Sequence, residues 1–66
     1  MIHVSYFDAL RNRRTHFVAE NKRKLHHAII ENATVRMAND QKLWKQFDGP
    51  EDFAAQVFSK EEVHNG

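Results

Sequence analysis

Two short runs of cations mark the first third of the sequence: Arg11, Arg13 and Arg14 around Asn12, then Lys22, Arg23 and Lys24. Guanidinium groups offer paired donors to a phosphate, and an amide such as Asn12 can add a bond to a backbone or a base edge. Between residues 11 and 27, six Lys or Arg face a single acid, Glu20. His16, His26 and His27 stand among them, and histidine is the side chain that gains charge just below neutral pH. These residue types support contact with the phosphates of DNA or RNA, expected of Arg11, Asn12, Arg13, Arg14, Lys22, Arg23, Lys24 and His27. An ordinary solvated surface accounts for the same residues without a ligand. Glu20 and Lys24 are four apart in the favourable order, and Lys22 and Arg23 can lay their stems over apolar neighbours.

Other chemistries find less support. His16 with Glu20, and His27 with Glu31, have the i,i+4 spacing of helical metal ligands, but each pair supplies two ligands where a closed zinc site takes four, or three and water. His26 and His27 diverge by about 100° on a helix. Cysteine is absent, so neither a thiol nucleophile, a disulfide nor a thiolate metal site is available. Ser5 has a structural use as a helix cap, and Asp48, Glu51 and Asp52 suit a turn and a helix start. With glycine only at 49 and 66, no phosphate-cradling loop or dinucleotide fingerprint exists. The expectation is a protein that is not an enzyme, with no metal and no cofactor.

A second candidate surface lies in the other half. Residues 1–39 hold seven cations against three acids, whereas residues 40–66 hold three against six. Trp44, Phe47, Phe53 and Phe58 fall in that acidic half and are candidates for a protein interface, Trp being enriched at binding hot spots. Beside Leu43 and Phe47, Trp44 is also the natural core anchor of this half.

The elements that would carry these residues read as helices. Ile2, Val4 and Tyr6 alternate with His3 and Ser5, and with no convincing second strand to pair with, residues 1–5 read as an extended arm. Ser5 and Asp8 have the form of a capping box with Val4 as its staple, so a helix is expected from Tyr6 to about Arg14. From Asn21 onward Leu25, Ile29, Ala33 and Met37 recur every four residues, which predicts a helix over 21–38 with Ile29 buried. Leu43, Trp44 and Phe47 form one side of a short third helix. Asp48-Gly49-Pro50 reads as a stop and restart, with Glu51 and Asp52 at the positive end of a helix carrying Phe53, Val57 and Phe58. Ser59 and Glu62 can cap a further turn held by Val63, and residues 60–66 are expected to fray.

Sixty-six residues make one domain, 1–66, which buries only about 60% of its unfolded surface. The expected fold is therefore all-α, a bundle of three to four helices, completed by a homodimer because one thin helical layer hides these aromatics poorly. No apolar run approaches a membrane span and no secretory signal pattern opens the chain, so a cytoplasmic protein without a membrane partner is expected. Asn32-Ala33-Thr34 matches a glycosylation acceptor by chance in that setting. The functional expectation is a small accessory or regulatory protein on DNA or RNA. A protein-binding adaptor or inhibitor is the alternative, and self-association of the basic half with the acidic half is the third.

Overall fold

The alternation of Ile2, Val4 and Tyr6 with His3, Ser5 and Phe7 belongs to a paired strand. The computed structural model describes residues 1–60, Lys60 by its backbone only. In it β1 (Ile2–Asp8) runs antiparallel to β2 (Arg13–Ala19), with Ile2 opposite Ala19, Val4 opposite Phe17 and Asp8 opposite Arg13. A third strand, β3 (Phe58–Lys60), pairs with the other edge of β1, giving the order β2-β1-β3. The expected arm is thus the central strand, and the expected helix from Tyr6 to Arg14 does not exist. The protein is a mixed α/β fold and not the small helical bundle that the sequence suggested.

The reason lies in the connection. Asp8 caps a turn rather than a helix: its Oδ1 accepts from the Leu10 and Arg11 amides, both at 3.0 Å. Asn12 then takes a left-handed conformation at φ 53°, which asparagine tolerates better than most residues. With the turn made, Thr15, Phe17 and Ala19 fall on the same face as Val4 and Tyr6, as a two-residue period requires.

Helix α1 (Lys22–Asn39) follows the expected course closely. Asn21 caps it by accepting from the Lys24 amide at 2.9 Å, and Leu25, Ala33 and Met37 are buried while Ile29 is half-buried. Asp40 is extended and ends the helix. Helix α2 (Lys42–Gln46) has one inward residue, Leu43, so Trp44 turns outward and is 50% exposed rather than anchoring the core. Gly49, at φ 128°, leads into α3 (Pro50–Val57), which begins at the expected proline and buries Phe53, Ala54 and Val57. Phe58, expected in that helix, opens β3.

Helix α1 packs on β2 and on α3, over one face of the sheet. Between them Tyr6, Phe17, Phe58, Phe53 and Phe47 form a chain of edge-to-face ring contacts with centroids 5.1 to 6.3 Å apart. The premise for a homodimer, that a single helical layer cannot hide these rings, no longer holds: the sheet hides Phe17 and Phe58, and α3 hides Phe53. Among the described residues no helix is long and apolar enough to cross a membrane. Ser59 lies in β3 rather than at a helix cap, while Glu62, Val63 and the rest of the expected frayed end, 61–66, lie outside the described residues.

Candidate nucleic-acid interface

A strand pair covered by helices on one side exposes alternate residues on the other. By the register, that second face carries His3, Ser5 and Phe7 from β1, Arg14, His16 and Val18 from β2, and Ser59 from β3. His3, Arg14, His16, Val18 and Ser59 are exposed, and Ser5 and Phe7 are half-buried. No residue of this set is acidic. Ser5 Oγ and His16 Nδ1 share a hydrogen bond at 3.1 Å across their register pair. The rings of His3 and His16 sit 5.7 Å apart at 47°. Phe7 lies between Arg14 on one side and Ser59 on the other.

The basic runs border this face at its two ends. Arg11 and Asn12 sit in the turn, while Arg13 and Arg14 open β2 and point to opposite sides of the sheet. A helix would have set Arg11 beside Arg14; the strand instead gives Arg14 to the uncovered face. Lys22, Arg23 and Lys24 form the first turn of α1, just past the far end of β2, and no acid stands in that turn. Lys24 bonds Glu20 at 2.9 Å, the i,i+4 pair expected from the sequence. The two runs therefore do not converge. Arg11, in the turn, is separated from the second run by the seven residues of β2, roughly 20 Å at ~3.3 Å per residue. His27 lies on the helical side, where it lines a shallow depression with Glu31 and Glu51.

Of the four aromatic residues proposed for a protein interface, Phe53 and Phe58 are core residues, 0% and 7% exposed, and Phe47 packs against Phe53. Trp44 alone of the four is widely exposed. Leu10, Val35 and Leu43 line a groove of about 900 Å³ between the turn, α1 and α2, but its rim mixes Arg11 and Lys42 with Glu31 and Asp40. The buried Asn32 Oδ1 in its wall has no hydrogen-bond partner. No group of three or more His, Asp or Glu among the described residues is placed to hold a metal ion.

Neither His3 nor Phe7 was among the residues that the sequence suggested for nucleic acid. The signal for both was the alternation in β1, which carries weight only once Thr15, Phe17 and Ala19 are recognised as its partner strand. No family model matches the chain, and no curated protein or solved structure shows a significant match to it.

Proposed function

We propose that the protein is a small accessory or regulatory factor that binds nucleic acid, contacting phosphates along β2 from the turn at one end to the start of α1 at the other. The observation that carries this reading is the distribution of charge: an uncovered sheet face with no acid among its described residues, bordered at both ends by cations. The α1 end adds weight. A helix start is the positive end of the backbone dipole and favours Asp or Glu, yet Lys22, Arg23 and Lys24 occupy it. Lys24 is engaged by Glu20, and its amide by Asn21, but the charges of Lys22 and Arg23 work against the helix dipole and in favour of an anion.

The test is titration of labelled oligonucleotides by fluorescence anisotropy at low salt. Affinity should fall as salt rises, with log K linear in log salt, because each neutralised phosphate releases condensed counterions. Replacing Arg11 and Arg14 together with Ala should weaken binding and flatten that slope while the circular dichroism spectrum is kept, since both side chains are exposed. Absence of binding at about 10⁻⁴ M, the weak end of non-specific association, would overturn the proposal.

A further inference from the structure

The geometry points to a metal-binding site on the uncovered sheet face, in which His3 and His16 chelate one late first-row divalent ion, copper(II) in preference to the others. The site is independent of the phosphate reading. His3 and His16 are diagonal neighbours on adjacent strands: His3 stands opposite Val18, and His16 opposite Ser5. Their side chains therefore share one face, and their rings lie 5.7 Å apart, centre to centre. Imidazole nitrogens sit ~2.0 Å from the ion they bind, which sets two ring centres roughly 4.5 Å apart for ligands at right angles and roughly 6.4 Å apart for opposed ligands. The observed separation falls between those limits. Both residues are exposed, so an ion reaches them from solvent and the rings can turn toward it without disturbing the core.

The partner of His16 fits the same chemistry. A ring that binds metal through Nε2 keeps its proton on Nδ1, where an outer hydrogen bond fixes tautomer and orientation. His16 Nδ1 lies 3.1 Å from Ser5 Oγ; with Nδ1–H donating to that oxygen, the Nε2 lone pair is left for an ion. The bond also ties His16 to the strand that carries His3, so less freedom is lost when both rings close on the ion. The donors select the ion. Imidazole nitrogen suits copper, nickel and zinc, and affinity peaks at copper(II), whereas magnesium and calcium take oxygen. No group of three or more ligating side chains occurs among the described residues, so two imidazoles hold the ion and water completes its coordination. Tetragonal copper(II) accepts that set, and a closed tetrahedral zinc site does not. Arg14, two residues before His16 on the same face, adds a like charge that lowers the affinity.

The experiment is titration of copper(II) into the chain of residues 1–66, read by calorimetry and by thermal unfolding at about pH 7.5, above the range in which imidazole ordinarily takes up its proton. One ion per chain should bind most tightly, nickel(II) and zinc(II) should bind more weakly, and magnesium(II) should not compete. The copper-loaded chain should melt at a higher temperature, because the two rings meet only when β1 and β2 are paired, and an ion that binds the folded state alone stabilises it. His3→Ala and His16→Ala should each lower copper(II) affinity at least about 10-fold, since each removes the gain from presenting two donors on one scaffold. The double variant should lose little more than either. Both side chains are exposed, so the circular dichroism spectrum should be kept, and His27→Ala on the helical side should bind as the parent does. Loss of tight binding in His3→Ala but not in His16→Ala would place the ion on His3 and neighbouring main-chain nitrogens and overturn the paired site. It would also be overturned by binding that leaves the melting temperature unchanged, by losses that add in the double variant as two separate sites would give, or by a parent affinity no greater than that of the double variant.

Discussion

Asp8 is the buried charge of this small core, 1% exposed, and four parts of the chain depend on it. One oxygen accepts the two amides of the turn, and the other accepts from Arg36, which reaches it from α1. The Arg36 guanidinium in turn lies over the rings of Phe53, at 5.1 Å, and Phe58, at 5.8 Å. Asp8→Ala should therefore cost about 3 to 5 kcal/mol in urea unfolding, because it leaves a buried cation unpaired as well as freeing the turn. Arg36→Met should cost less, since Asp8 keeps its two amide donors, and the double variant should lose less than the sum of the two. Additive losses would show that the pair is not coupled. Asp52 is a half-buried counterpart. The Asp48 amide and then the Gln56 side chain hold its carboxyl below the ordinary 3.8, against a small opposing effect of burial. A depressed folded value means that the contribution to stability is complete above about pH 4 and is lost as pH falls through the folded value. Asp52→Asn should be less stable than the parent at neutral pH, with the gap closing in acid. A gap unchanged by pH would assign the loss to something other than the charge.

At the scale of elements, backbone chemistry sets the boundaries. Gly49 combines φ 128° with ψ 179°, a region essentially confined to glycine, and a Cβ there would meet nothing within 4 Å. Gly49→Ala should thus cost about 1 to 3 kcal/mol through the backbone alone, measured as a lowered denaturation midpoint. The start of α1 should respond in the opposite sense. Lys22→Glu with Arg23→Glu should raise thermal stability by about 0.3 to 1 kcal/mol per site, by matching the helix dipole, and weaken oligonucleotide binding. A double variant that is no more stable would show that the cations are not held against the helix preference. These cases also explain which elements could be read from the chain. Helix α1 was legible because Leu25, Ile29, Ala33 and Met37 keep a four-residue period behind an Asn21 cap, and α3 because glycine and proline mark its start. The β1–β2 hairpin was not, because its turn contains neither glycine nor proline and relies on Asp8 and Asn12. Ser5 and Asp8 meanwhile imitate a helix cap. The same error hid half of the candidate site: the cations are visible in composition, but His3 and Phe7 join them only when the strands are paired.

For the whole molecule, the sheet order joins distant parts of the chain. Strand β1 meets β2 across a short turn but meets β3 through Phe7 opposite Ser59 and Asp8 opposite Phe58. Pairs so far apart in sequence form slowly, because the loop must close before they contribute. Deleting residues from Phe58 onward should abolish the cooperative unfolding transition, since it removes a core ring and one neighbour of the central strand; a sharp transition in the truncated chain would refute this. The strand order also has a consequence for synthesis. The hairpin is complete once Ala19 has emerged, but 38 residues separate it from Phe58, about 2 to 8 s of translation at 5–20 residues per second. Throughout that interval one edge of β1 is open to any other strand, so the nascent chain is most vulnerable to mispairing just before its third strand arrives.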